Sequence, residues 1–385
     1  MVSHRLVSLL ILIPTLFLAA CGDTSANSGD SSNGGDGGDG AGGNGGASSG
    51  SGNGGDGGEA PLNADPISAP SEEWTWVPFD NAFCANGSTT GIGVNLTDKS
   101  DNLVIYLMGG GACWDSLTCY IAKTAVNIES GYGAAQFNSD KKGLNISLFD
   151  RNDPANPVRD ASFVFVPYCT GDVHAGTNAE ASYDGKNTLH VGYRNMQAFL
   201  ARLATTRPNV KHILLSGSSA GGFGAGINWW QVQKVFGDAR VDLVDDSGPP
   251  LPAPYLSESI EGQWRAAWSL NTAMPEGCGE CQTDLSALFG YYAANLPQNR
   301  GALLSYTHDQ VIASYFLISQ DKVAEGLGIL GDKIDTYANM RYYYVDGNSH
   351  VLLGNPSGIS QNGVVLMTWI NQMWNDDPTW VNIKP

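Results

Sequence analysis

His212-Ile213-Leu214-Leu215-Ser216-Gly217-Ser218-Ser219-Ala220-Gly221-Gly222 decides the reading of this chain. Its first half is a short apolar run of strand character. Its second half is a cluster of very small residues. Apolar residues then recur at helical spacing through 222–236. Gly217 to Gly221 match G-x-S-x-G, a pattern that is weak alone: Gly46-Ala47-Ser48-Ser49-Gly50 matches it too. Only the match at 217–221 sits between a strand and a helix. That context predicts a sharp turn that lifts the Ser219 hydroxyl above the end of a sheet. The same turn presents the Ala220 N–H at a helix N-terminus, where it can donate to a developing oxyanion.

Outward from this turn, strands and helices alternate. Short apolar runs stand at 102–108, 162–166, 241–244, 302–306 and 341–345. Helical spacing covers 192–206, 310–318 and 362–374. Strands without polar alternation are buried on both faces. Their alternation with helices predicts an α/β fold with a mostly parallel central sheet and helices on both faces. Sites in such sheets lie beyond the carboxyl ends of the strands.

The ends of the other strands supply further candidates. Gly109-Gly110-Gly111-Ala112 follows the strand at 102–108, where hydrolases of this class take an oxyanion donor from a glycine loop. Gly111 and Ala112 join Ala220 as candidate donors. No phosphate-loop pattern accompanies these glycines. The base should be a histidine that follows the nucleophile and its acid in sequence. Only His308 and His350 follow Ser219, and His350 lies in the turn after the last strand. His350 is therefore the expected base. Asp309, after the strand at 302–306, is the expected acid, and it also suits a helix N-cap. Asp246, at the end of the strand at 241–244, is the alternative.

The N-terminus reads as an address. Leu6 to Ala20 form an apolar run after His4 and Arg5, too short to span a bilayer comfortably, so 1–20 reads as a signal peptide. Leu18-Ala19-Ala20-Cys21 resembles a lipobox, which predicts lipidation at Cys21 and an exported protein held at a bacterial outer membrane or cell surface. Residues 29–58 hold 16 glycines among Ser, Asn and Asp. With the rest of 21–66 they read as a flexible tether. Residues 67–385 are left as a single α/β domain.

The formal net charge is −18, and from residue 66 onward 31 acids face 19 bases. Such a surface does not suit nucleic acid, and it offers anionic lipid no attraction beyond the predicted anchor. Apart from Cys21, six cysteines remain: Cys84, Cys113, Cys119, Cys169, Cys278 and Cys281. An even number in an exported chain predicts three disulfides and leaves their pairing open. Cys278-Gly279-Glu280-Cys281 has no second pair and no neighbouring histidine, so a small structural disulfide is preferred to zinc.

Taken together, the ordered motifs resemble the pectin acetylesterase family, which includes the Notum carboxylesterases. The carrying residues are Leu107 to Trp114, Pro167-Tyr168-Cys169, Gly192-Tyr193-Arg194-Asn195, Gly217 to Gly222, Tyr306 to Gln310, and His350. The resemblance implies an α/β-hydrolase-like fold, a Ser219–Asp309–His350 triad and oxyanion donors at Gly111, Ala112 and Ala220. It also implies pairing of Cys84 with Cys169 and Cys113 with Cys119, which leaves Cys278 with Cys281. Two positions depart from the family pattern: Met108 replaces a Glu and Ala112 a Trp. These alter the wall of the acyl pocket and leave the triad intact.

The expected activity is hydrolysis of acetyl or other small acyl esters, with a polysaccharide such as acetylated pectin as substrate and partner. No metal or organic cofactor is expected, and the chain is expected to be monomeric. A carboxylesterase acting on lipid or general esters is the alternative with the same chemistry. An inactive surface-anchored glycan-binding scaffold is the alternative of another class.

Overall fold

The computed structural model describes residues 65–144 and 147–385. The apolar run, Cys21 and the tether up to residue 64 lie outside the described residues.

Eight strands form the central sheet. In chain order they are β1 (Thr75–Phe83), β2 (Thr89–Asn95), β3 (Asn102–Leu107) and β4 (Ser162–Val166). After a hairpin of β5 (Asn178–Tyr183) and β6 (Lys186–His190) come β7 (His212–Ser218), β8 (Arg240–Asp246), β9 (Gly301–Tyr306) and β10 (Met340–Val345). The spatial order is β1-β2-β4-β3-β7-β8-β9-β10. From β4 to β10 every pairing is parallel, whereas β1 and β2 are antiparallel. The expected mostly parallel α/β sheet is therefore present. The antiparallel edge was not read from the sequence, because β1 carries polar residues at irregular intervals.

The two-sided burial has a simple cause. In β3, Leu103, Ile105 and Leu107 face one apolar layer, and Val104 and Tyr106 face the other. Side chains alternate along a strand, so a strand covered on both faces must be apolar throughout. The first layer packs against α2 (Gly192–Thr206) and α3 (Ala220–Phe236), with α4 (Glu258–Trp268), α5 (Ala287–Asn295), α6 (Gln310–Phe316) and α7 (Gln320–Ile334). The second is covered by Trp369, Ile370 and Met373 of α8 (Leu366–Trp374) and by aromatic residues near α1 (Ala134–Asp140). His212, at the start of β7, stacks on Trp374 and meets Asp242 at 2.8 Å.

Disulfides join Cys84 to Cys169, Cys113 to Cys119 and Cys278 to Cys281. The first ties the β1–β2 turn to the segment after β4. The second staples the segment that follows the glycine loop.

Candidate active site

Five neighbouring parallel strands, β3, β7, β8, β9 and β10, deliver the candidate residues at their carboxyl ends. Gly109 to Gly111 follow β3, Ser219 follows β7, Asp246 ends β8, Asp309 lies just past β9, and His350 lies on the turn after β10. A parallel sheet puts all of these ends on one side.

At the elbow, Ser219 has φ +58° and ψ −120°, in the region that side chains rarely occupy. Its surroundings explain why its neighbours are glycines. A Cβ on Gly221 would stand 2.0 Å from the Leu107 carbonyl oxygen, and one on Gly222 2.4 Å from an Asp245 oxygen. The helix N-terminus is thus driven between the ends of β3 and β8, and only bare backbone fits. The Ser219 N–H donates to the Asp246 carbonyl at 2.7 Å, which fixes the turn against β8. Such strain persists where the surroundings over-determine it, commonly at reactive positions.

His350 and Asp309 meet directly: Nδ1 of His350 lies 2.7 Å from Oδ2 of Asp309. Asp309 is fully buried. Its other oxygen, Oδ1, caps α6 by accepting from the Val311 and Ile312 N–H groups at 2.9 and 3.0 Å. One side chain is therefore both N-cap and partner of the imidazole. The turn carrying His350 is pinned from that side by His308 N–H to the Gly347 carbonyl and Gln310 N–H to the Asn348 carbonyl. Nε2 of His350 is buried and has no hydrogen-bond partner among the described residues. With Nδ1 committed to Asp309, Nε2 is the nitrogen free to take a proton. Ser219 and His350 are not hydrogen-bonded to each other, as is common in a site without substrate.

Asp246 does not contact the imidazole by hydrogen bond. Its oxygens accept from the Ser218 hydroxyl (2.6 Å), the Ser247 hydroxyl (3.1 Å), the Leu352 N–H (2.9 Å) and the Leu353 N–H (3.0 Å). Burial pushes its carboxyl above the usual range, opposed by the Ser218, Leu352 and Leu353 donors and by the nearby His350. Asp245, also buried, accepts from the Gly248 N–H at 2.9 Å and is pushed well above the usual range by burial and by Asp246.

In the glycine loop, Gly109 closes on the elbow: a Cβ there would approach the Ser219 Cβ to 3.2 Å and the Ser218 carbonyl oxygen to 2.5 Å. Gly110 and Gly111 have φ of +147° and +78°. Gly111 is wedged against the Thr124 carbonyl and the Tyr315 hydroxyl. The Ala112 N–H faces the Tyr315 oxygen, and the Tyr315 hydroxyl donates to the Thr124 carbonyl. Behind the loop, His174 contacts the Met108 carbonyl through Nε2 at 2.8 Å, and burial holds its imidazole below the ordinary range. Tyr315, His174, Ser218 and Ser247 were not singled out by the sequence reading. Each acts through a neighbour brought close by folding, and no local pattern marks that.

Of the tryptophans, Trp229, Trp264 and Trp268 are core residues, whereas Trp114 and Trp230 are partly exposed.

Comparison with known proteins bears on family and fold. Over 182 residues the chain is 32% identical to "Palmitoleoyl-protein carboxylesterase notum2" of Xenopus laevis, covering 46% of this chain and 36% of that protein. Over 213 residues it is 25% identical to "Palmitoleoyl-protein carboxylesterase NOTUM" of Drosophila melanogaster, covering 51% of this chain and 31% of that protein. The chain thus spans about a third of the length of these curated relatives. A solved structure of the Wnt deacylase Notum from Drosophila superposes with a TM-score of 0.61 at 18% identity, over 82% of this chain and 96% of that one. That likeness concerns the fold. A family model described as Pectinacetylesterase matches residues 75–320, from β1 into the start of α7, and the chain belongs to the pectinacetylesterase family.

Proposed function

We propose that the protein is a serine hydrolase of carboxylic esters that removes small acyl groups, acetyl above all, from a polysaccharide. The observation that carries this reading is the conjunction of a strained serine elbow with a His350–Asp309 pair on the same end of the sheet. Family membership supports the ester chemistry.

In this mechanism His350 Nε2 takes the Ser219 proton as Oγ attacks the ester carbonyl. Asp309 holds the imidazole by Nδ1 and offsets the charge of the imidazolium. The tetrahedral oxyanion is met by backbone N–H groups of the elbow and the glycine loop, with Ala220 and Gly111 as the leading donors. Each such donor lowers the barrier by about 2.7–4 kcal/mol. His350 then protonates the departing alcohol, and water repeats the sequence on the acyl-enzyme. The disulfides suit an oxidising, extracellular setting. Export by the N-terminal run and anchoring through Cys21 belong to the same proposal.

Acetate release from a panel of acetylated polysaccharides, with Ser219→Ala as control, tests the reading. Release by the native protein and not by the variant supports it. Equal release by both sinks it and favours a binding scaffold. A second reading, removal of a long fatty acyl group, is favoured by the likeness to palmitoleoyl-protein carboxylesterases. Hydrolysis of an ester series of rising acyl length separates the two: a maximum at acetate supports the first, and a maximum at long chains the second.

A further inference from the structure

The elbow and the histidine turn are distant in sequence, and one side chain bridges them. Asp246 accepts from Ser218, the residue before the nucleophile, and from Leu352 and Leu353, just after His350. Its own backbone carbonyl accepts from the Ser219 N–H. The adjacent Ser247 hydroxyl donates to Asp246 and accepts from the Val351 N–H at 3.1 Å. From β3, Tyr106 reaches in and donates to Ser218 at 2.9 Å. The four residues that donate to the Asp246 carboxylate, Ser218, Ser247, Leu352 and Leu353, are all buried. A carboxylate has about four lone-pair sites, and here four donors converge on them, an arrangement suited to the ionised form.

On the catalytic reading above, we propose that Asp246 is a positioning residue: it fastens the chain after His350 to the serine elbow and adds a second negative charge near the imidazolium. Asp309 sets the orientation of the ring, and Asp246 sets where the ring stands relative to the nucleophile. A displacement of about 1 Å between reacting groups can cost a hundredfold in rate. Fastening of this kind therefore appears in kcat more than in KM.

The groups facing this region are Asp309 from the start of α6, Tyr306 from β9, Tyr106 from β3 and Asp245 from β8. Both phenols are pushed above their ordinary range by burial, so they do not titrate on the acid side of a rate profile. Asp245 is removed from the comparison by repeating each profile in an Asp245→Asn background.

The test uses p-nitrophenyl acetate and the Asp246→Asn variant, with folding verified by circular dichroism. The expected result is a kcat lower by about 10–100-fold with KM within about twofold. The acid limb of the rate profile should also move to lower pH by about half a unit, because a negative charge that favours the imidazolium is gone. A kcat within about twofold of the native value overturns the proposal, and so does a loss of kcat with the acid limb unmoved. Should Asp246→Asn fail to fold, Ser218→Ala decides: a kcat loss of about 3–10-fold at constant KM supports the fastening, and an unchanged kcat overturns it. Ser219→Ala is assayed alongside. Native turnover in that variant marks failure of the catalytic reading itself, not of the positioning role.

Discussion

Strands β8 and β9 are neighbours, paired from Leu243↔Gly301 to Asp246↔Leu304, and each brings a fully buried aspartate to the same end of the sheet. After β9, Asp309 spends one oxygen on the N–H groups of α6 and has the other left for His350. At the end of β8, both oxygens of Asp246 are occupied by hydroxyl and backbone donors. Residue type and burial do not separate the two. Their roles diverge because the surrounding donors leave a lone pair free on one and none on the other. Three residues off β9, the chain has already turned into a helix, and the N-cap geometry points Oδ2 outward. Directly on β8, the carboxyl stays under the turn that follows His350.

The comparison is best broken at Asp309. Asp309→Asn should lower kcat by about a thousandfold or more, since the amide favours the wrong imidazole tautomer. Thermal stability should change by less than about 1 kcal/mol, because asparagine also caps helices. Steady-state kinetics and a melting curve on one preparation check both halves. An equal loss in Asp246→Asn would erase the distinction between the two acids.

Gly222→Ala tests the packing that sets β8 against the elbow. The new methyl would stand 2.4 Å from an Asp245 oxygen and 2.7 Å from the Asp246 carbonyl oxygen. Overpacking against backbone should destabilise the fold by about 3 kcal/mol, read from denaturant unfolding. A native midpoint would show that this junction yields freely.

Ser247→Ala sharpens the comparison from the side of the histidine turn. It removes the acceptor for the Val351 N–H and one donor to Asp246. Loss of about 1–1.5 kcal/mol of stability is expected. The accompanying loss of kcat should be smaller than in Asp246→Asn, where the charge is removed as well.

The smallest effect concerns Asp245. Its carboxyl is pushed up by burial, so the folded state holds its proton more tightly than the unfolded chain does. Between the unfolded value near 3.8 and the raised folded value, the folded protein binds more protons. Stability from this group therefore falls as pH rises through that window. Asp245→Asn should flatten this slope and keep the Gly248 N–H bonded through the amide oxygen. Melting temperatures taken from pH 4 upward measure it; an unchanged slope would mean another group carries the dependence.

The sheet was legible because its cause is local. A run such as Leu103 to Leu107 is apolar at every position, and only two-sided burial accounts for that. The elbow was legible for the same reason, since small residues must follow one another where a helix starts between two strands. The edge strand β1 was not, because its burial alternates imperfectly around polar residues. The bonds of Ser218 and Ser247 were not legible either. A serine beside G-x-S-x-G or after Asp-Asp carries no mark of the donor or acceptor waiting across the sheet.

Sequence by itself determined the layered α/β architecture, the strand-to-helix turn at Ser219 and the order in which candidate nucleophile, acid and base appear. These follow from periodicity, side-chain size and chain direction, which are properties of neighbouring residues. Tertiary structure alone decided that Asp246, the alternative acid of the sequence, instead bonds the chain beyond His350. That choice depends on how many donors each carboxyl meets once distant segments converge, and hydrogen-bond saturation is a property of the assembled site, not of any stretch of chain.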